Sequence, residues 1–353
     1  MAADRRLAEL LDLVVSQGGS DLHVIAGGSP MVRVSGALIP IAKVAPFSAD
    51  ETEALLKSIV PDERWDAFKR NQVIDFSYAH GKEARFRVNG YRVQGMVSIA
   101  LRLIPHAIRT FTELNLPSTL EVFTQREQGF FLVVGPVGQG KSTTLATMID
   151  YINESRAEHI LTIEDPVEYL FTPKKSLIHQ REVHIDTPDF HDALQSSFRE
   201  DVDVIMVGEM RDYETISSAV TAAETGHLVF STLHTNNAAQ TIDRIIDMFP
   251  AEQQTQVRVQ LAGSLAGIFS QRLIPRISGG LIPAVELLIN NNAVSTLIRE
   301  ARTHEINTVI QTSSQEGMID MDRSLVDLVR RGEVTVEHAF EHALDPKTFE
   351  TYL

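Results

Sequence analysis

The chain has 353 residues, enough for two domains with separate cores. Its 47 acidic residues outweigh 32 basic ones, a formal net charge of −15 that argues against a general nucleic-acid binder, although a local basic stripe in an oligomer would escape that count. It has no cysteine, so disulfides, thiolate zinc sites and thiol nucleophiles are excluded, and the composition fits the cytoplasm.

Asp4, Glu9 and Asp12 interrupt the start where the apolar core of a signal peptide would sit. The longest uncharged, apolar-leaning run, between Arg258 and Arg272, is too short and too polar to span a bilayer, so no transmembrane segment is expected. Leu7, Leu10, Leu11, Val14 and Val15 share helical spacing, and Gly18-Gly19 ends that helix. Leu22 to Ile25 and Met31 to Val34 read as short strands around Gly27-Gly28-Ser29-Pro30. Ser48 and Glu51 form a capping-box pattern that opens a helix through Leu55, Leu56 and Ile59, and a second helix after Pro61 carries Trp65 and Phe68. Three more strands follow, Ile74 to Tyr78, Arg85 to Arg92 and Val97 to Ile104, with turns at His80-Gly81 and near Gly95. Strands without intervening helices predict an antiparallel sheet, hence a small α+β domain over residues 1–105. Its last strands are basic, with Arg85, Arg87, Arg92 and Arg102; they fit either a solvated sheet face or arginines that reach phosphate.

Residues 106–117 lack periodicity and read as a linker. From residue 118 to the end the pattern changes to strand-helix alternation, with strands expected at 130–134, 159–163, 203–208 and 228–233. Helices are expected at 142–153, 189–199, 212–225 and 238–247, giving a parallel sheet flanked by helices. From about 250 onward the chain reads as mostly helical, ending with helices at 322–331 and 335–344.

The first strand of this second domain, Phe130 to Val134, is wholly apolar and leads into Gly135-x4-Gly140-Lys141-Ser142 and then a helix-forming run. Strand, glycine-rich loop and helix form the context of a phosphate-binding loop. Gly135, Gly138 and Gly140, with Pro136, Val137 and Gln139 between them, let backbone N–H groups turn inward around phosphate oxygens. Lys141 supplies charge for the β- and γ-phosphates, the Ser142 hydroxyl can ligate Mg²⁺, and Thr143 follows in the new helix. A nucleoside triphosphate is the expected ligand.

In open parallel sheets ligands sit at the carboxyl ends of the strands. Three strands end there in an acid or an imidazole: the one reaching Glu164, the one reaching Glu209 and the one reaching His234. Nucleotide hydrolysis needs one carboxylate for Mg²⁺ and one group to orient the attacking water. Glu164 ends the strand after the phosphate-loop helix, where RecA-type sheets place the water-activating glutamate. We assign Glu164 as base and Glu209 to Mg²⁺, with the reverse division as the alternative. His227 and His234 are separated by an odd number of residues along one strand and by about 23 Å at ~3.3 Å per residue. His234, at the carboxyl end, is the phosphate sensor; His227 reads as structural.

TIEDPVEY (162–169), DVIMVGEMRD (203–212) and GHLVFSTLHT (226–235) resemble the aspartate, Walker B and histidine boxes of the secretion and type IV pilus ATPase superfamily. Ser20-Asp21-Leu22-His23, MVRVSG (31–36), ARFRVN (84–89), AAETGHLVFSTLHT (222–235), TIDRIIDMFP (241–250) and the helix at 322–331 resemble specifically its pilus retraction ATPases, which serve twitching motility. The likeness covers nearly the whole chain. It implies a PAS-like N-terminal domain joined to a RecA-type ATPase domain, assembled as a homo-hexameric ring. It further implies ATP and Mg²⁺ between neighbouring subunits, with N-domain arginines reaching the phosphates; Arg87 and Arg102 match by motif position. The implied function is ATP-driven pilus retraction at the cytoplasmic face of the inner membrane. The implied partners are a platform protein in that membrane and the pilus machinery, not nucleic acid. Assembly and secretion members usually add N-terminal domains and a four-cysteine zinc module, so the short N-domain and lack of cysteine favour retraction. The chain departs from the family's usual residues at Val137 and Gln139, has Gln94-Gly95-Met96 where NRG is usual, and reads AVSTLIRE (293–300) for AIRNLIRE. An accessory retraction paralogue, an ATP-sensing scaffold without strong turnover and a RecA-type nucleic-acid motor are the alternatives.

Overall fold

The structure, a computed structural model, describes residues 2–34, 36–42, 44–81, 84–104 and 107–353, with side chains from residue 5 onward. Pro105, where the first domain is expected to end, and His106, where the linker is expected to start, lie outside the described residues, as does Ser35 of the MVRVSG stretch. The chain forms two compact units: residues up to Ala107 together with Pro166–Leu170, and Ile108–Asp165 together with Phe171–Leu353.

The first unit runs α1 (Ala2–Ser16), β1 (Gly19–Ile25), β2 (Met31–Val34), β3 (Ala37–Pro40), α2 (Ala49–Ile59), α3 (Asp62–Asn71), β4 (Val73–His80), β5 (Ala84–Val93) and β6 (Met96–Ile104). Its sheet has the order β3-β2-β1-β6-β5-β4 and every pairing is antiparallel. The short exposed strand β3 had no signal in the sequence pattern. The capping box forms as read: Ser48 Oγ accepts from the Glu51 N–H at 3.2 Å and Glu51 Oε2 accepts from the Ser48 N–H at 2.7 Å. Alternation along β5 turns Phe86 and Val88 into the core, with Leu11 of α1 and Leu56 of α2. The same alternation puts Arg85 and Arg87 on the other face. There Ser77, Arg87, Arg102, Asp21 and Arg33 stand opposite one another across β4, β5, β6, β1 and β2.

The second unit begins with the described part of the expected linker. Phe111 and Leu116 are buried, the Phe111 ring meets Tyr151 edge-on, and Thr147 Oγ1 donates to the Arg109 carbonyl at 2.8 Å. Then come α4 (Leu120–Thr124), β7 (Gly129–Val134), α5 (Lys141–Ser155), β8 (His159–Glu164), β9 (Leu177–Glu182), α6 (Phe190–Ser197), β10 (Val204–Val207), α7 (Tyr213–Glu224), β11 (Leu228–Leu233), α8 (Ala238–Asp247) and α9 (Ala251–Ser264). The chain continues through β12 (Leu265–Pro275), β13 (Leu281–Ile289), α10 (Asn292–Arg299), α11 (Ile306–Thr312), α12 (Met321–Arg330), α13 (Val336–Glu341) and α14 (Pro346–Tyr352). The sheet order is β13-β12-β7-β11-β10-β8-β9, parallel from β12 to β9, with β13 antiparallel on the edge. This is the RecA-type parallel sheet. Helix α8 shows how the helices attach: Ile242, Ile245 and Ile246 share one face and are fully buried, each worth about 1.5–3 kcal/mol of apolar burial.

The expectation of mostly helix after 250 is wrong for residues 265–289, which form the longest antiparallel pairing of this unit. The reason is that β12 is buried on both faces, so its residues do not alternate. Its buried polar Ser270 and Gln271 break the apolar run that would have marked a strand. Strand β9, next to β8, also escaped the reading because most of its residues are polar or charged. No helix among the described residues is long and apolar enough to cross a membrane.

Candidate active site

Strand β7 is buried along its whole length and ends at Val134, immediately before Gly135. Gly135, Gly138 and Gly140 all have positive φ, at 145°, 79° and 80°. At Gly135 a Cβ would collide with the Gln271 backbone carbonyl, and at Gly140 it would lie 2.9 Å from Gln271 Nε2, so β12 excludes a side chain at Gly135, while at Gly140 the positive φ adds to a contact that the Gln271 side chain would have to move to relieve. Pro136, Val137 and Gly138 form the exposed crest of the loop. Gly140 caps α5, whose first residues are Lys141, Ser142 and Thr143. The helix therefore points its N-terminal N–H groups and its positive dipole end at the space above the loop.

Lys141 is buried, and its Nζ donates to the carbonyls of Gly135 and Pro136, both at 2.8 Å. It also lies 3.3 Å from His234 Nδ1. An ammonium only donates, so His234 Nδ1 accepts and Nε2 carries the ring proton. That Nε2 is 3.2 Å from Glu209 Oε1. Lys141, His234 and Glu209 thus form one line of contacts across the carboxyl ends of β7, β11 and β10. Burial pushes the Glu209 carboxyl up, but Arg211, 2.8 Å from Oε2, together with His234 and Lys141, outweighs burial and holds it below its usual range.

Glu164 ends β8 and is buried, and its Oε1 accepts from Thr162 Oγ1 at 2.7 Å and from Gln180 Nε2 at 3.2 Å. Two donors on one oxygen fix the plane of the carboxylate. Gly208, immediately before Glu209, donates its N–H to the Ile163 carbonyl at 2.8 Å, and a Cβ there would touch the Glu164 backbone at 3.5 Å. Both acids sit at the same end of adjacent strands. His227 lies at the opposite end of β11, where its Nδ1 contacts the Ala222 carbonyl at 3.0 Å and its ring meets Phe198 edge-on.

Arg87 and Arg102 are directly opposed on β5 and β6 of the first unit. Arg87 Nη1 is 3.4 Å from Glu168 Oε1, and Arg102 Nε donates to Asp21 Oδ1 at 2.8 Å. The Arg102 side chain is 71% exposed, so that bond leaves most of the guanidinium in solvent.

Several residues at the site were missed by sequence reasoning. Gln271 donates through Nε2 to the Gln139 carbonyl at 2.7 Å and accepts through Oε1 from Thr144 Oγ1 at 2.7 Å. Gln139 Oε1 in turn accepts from the Leu273 N–H at 2.6 Å. Thr162, Gln180 and Arg211 orient the two glutamates. Glu286, on β13, is wholly buried; its Oε1 accepts from the Ala238 N–H at 2.7 Å and from Ser270 Oγ at 3.0 Å. It ties the start of α8, four residues past His234, to the strand pair β12–β13. Burial pushes its carboxyl up to about 7. Arg211 and Thr162 had a local signal, each two residues from a strand-ending acid; the other partners lie far along the chain, on strands that the sequence reading missed.

The residues present fit a hydrated Mg²⁺ held jointly with phosphate. Ser142 offers an exposed hydroxyl and Glu209 an ionised carboxylate, both hard oxygen donors. Among the described residues no three acids or histidines could hold a metal without such help.

The family model for type II/IV secretion system proteins matches residues 4–280. The chain is 45% identical over 343 residues to the type IV pilus retractation ATPase PilT of Pseudomonas aeruginosa, covering 97% of this chain and 99% of that one. It is 47% identical over 320 residues to a twitching motility protein of Neisseria gonorrhoeae, covering 90% and 85%. Among solved structures it resembles that of the pilus retraction motor PilT and bound ADP, with a TM-score of 0.91, 44% identity and 98% of both chains covered. The Legionella pneumophila ATPase DotB follows at a TM-score of 0.84 and 26% identity, covering 94% of this chain and 93% of that one.

Proposed function

The chain belongs to the type II/IV secretion system protein family, and on that premise we propose that it is an ATP-hydrolysing motor of type IV pilus retraction. The observation that carries the reading is the line from the phosphate-loop Lys141 through His234 to Glu209. It supplies a cation for the β- and γ-phosphates, a neutral imidazole that responds to the γ-phosphate, and a carboxylate kept ionised for Mg²⁺. When bound, the metal neutralises charge that builds on the phosphate oxygens. Loop amides from Gly135 to Gly140 and the N–H groups of Ser142 and Thr143 cradle the phosphates. Glu164, buried and oriented by Thr162 and Gln180, accepts the proton of the attacking water. Arg87 and Arg102 come from a neighbouring subunit of a homo-hexamer and meet the charge that develops on the γ-phosphoryl. Exposure of the Arg102 side chain favours that use. The ring works at the cytoplasmic face of the inner membrane against a platform protein of the pilus machinery.

The test has two arms. Purified protein should hydrolyse ATP, and Lys141→Ala should abolish turnover; a folded variant within threefold of wild type would overturn the site. In cells, deletion of the gene should leave excess pili that do not retract, whereas bald cells would mean extension. An accessory retraction paralogue is the second reading, favoured by AVSTLIRE at 293–300; deletion that leaves retraction in place would select it.

A further inference from the structure

Phosphate loops owe their anion affinity to N–H groups already pointing inward, so whatever holds the curve before the ligand arrives contributes to affinity. In this chain three side-chain hydrogen bonds fasten the loop to the neighbouring strand β12. The Gln139 side chain accepts from the Leu273 N–H, while the Gln271 side chain donates to the Gln139 carbonyl and accepts from Thr144 at the first turn of α5. Gln271 is 3% exposed, and both functions of its amide are satisfied. The bonds are reciprocal: one amide side chain runs from loop to strand, the other from strand to loop. Both functions of the Gln271 amide and Oε1 of Gln139 are engaged in the clasp. We propose that Gln139 and Gln271 are positioning residues that hold the phosphate loop curved before nucleotide binds, so that Gln139 increases affinity for nucleoside triphosphate. This rests on the reading of the site as a nucleotide site.

Gln139 is the more revealing of the two. A shorter side chain at this position cannot reach the Leu273 N–H, which faces the loop because β12 pairs with β7 only as far as Ser270. The strand therefore leaves free, just beyond its ladder with β7, a donor that Gln139 takes. Without that bond the loop would have to be ordered by the ligand, and the cost would appear in binding rather than in the chemical step.

The experiment uses full-length protein, a fluorescent ATP analogue with Mg²⁺, and amide exchange of the peptide containing Leu273 in nucleotide-free protein. Gln139→Ala and Gln271→Leu should each raise the dissociation constant about threefold to tenfold, as expected for a net hydrogen bond, with KM rising in step. The double variant should be far weaker than additive, because both changes open one clasp. Exchange at Leu273 should quicken in Gln139→Ala. An unchanged dissociation constant in folded variants, even with a lowered melting temperature, would make the clasp merely structural and overturn the proposal. So would unchanged exchange at Leu273. Gln139 is partly exposed, so its variant remains testable if Gln271→Leu does not fold. If the wild-type protein fails to bind the analogue, the nucleotide reading falls, and the exchange result still decides whether the clasp orders the loop.

Discussion

Glu286 offers a quantitative test of the packing behind His234. Its carboxyl is wholly buried between Ser270 on β12 and the Ala238 N–H at the start of α8. Burial raises its pKa from the ordinary 4.5 to about 7; the two hydrogen bonds and Arg272 pull the other way, and Asp320 adds to the rise. A raised pKa means the folded state holds the proton more tightly than the unfolded chain. The stabilisation is therefore complete below about pH 4.5 and is lost as pH rises through about 7. At ~1.4 kcal/mol per pH unit the whole effect is about 3 kcal/mol, of which about 2 kcal/mol falls between about pH 5.5 and pH 8. Glu286→Gln keeps the shape and an acceptor for Ala238 but cannot titrate. Urea unfolding of both proteins across that range should show the wild type losing about 2 kcal/mol relative to the variant, or about 4–8 °C in melting temperature for a unit of this size. Other groups titrate in both proteins and cancel. A difference that stays constant within about 0.5 kcal/mol would mean that Glu286 keeps one protonation state throughout, and the reasoning from burial would fail.

Two further predictions concern the chemistry. Glu164→Gln should bind MgATP but turn it over very slowly, since an amide cannot take the proton of water, while Glu209→Gln should weaken the Mg²⁺ dependence; the opposite pattern in single-turnover and Mg²⁺ titrations would exchange their roles. Arg102→Ala should lower turnover on the order of 10³-fold if it acts in trans, and mixing it with inactive Lys141→Ala subunits should restore part of the activity. No recovery in rings shown by mass to be mixed would sink the shared site.

The phosphate loop was legible because its chemistry is local: five apolar residues, three glycines with positive φ, a lysine and a serine follow one another within one βα turn. The strand-ending acids were legible for a similar reason, since an apolar run followed by a carboxylate marks the ligand edge of a parallel sheet. The supports of that edge were not. Gln271 reaches Gln139 across more than a hundred residues, and its strand read as helix because Ser270 and Gln271 interrupt its apolar run. Glu286 carries no local signal within its apolar stretch; the pairing of Ser270 with Glu286 and its burial show that it faces the interior. In the first unit the alternation of β5 separated core from charged face, but which arginine meets which acid depends on strand register, which alternation alone does not set.

The sheet order of the second unit has a consequence for how the chain is made. Strand β7 leads into the phosphate loop, yet its two partners, β11 and β12, are synthesised roughly a hundred residues or more after it. At ~5–20 residues per second, Phe130-Phe131-Leu132-Val133-Val134 waits on the order of ten seconds without its permanent neighbours. Such an apolar, β-prone segment is a natural target for chaperones and a natural start for aggregation. Premature release from the ribosome before residue 265 would leave one edge of β7 unpaired for good, so truncated products of this chain should be insoluble even when they contain the whole phosphate loop.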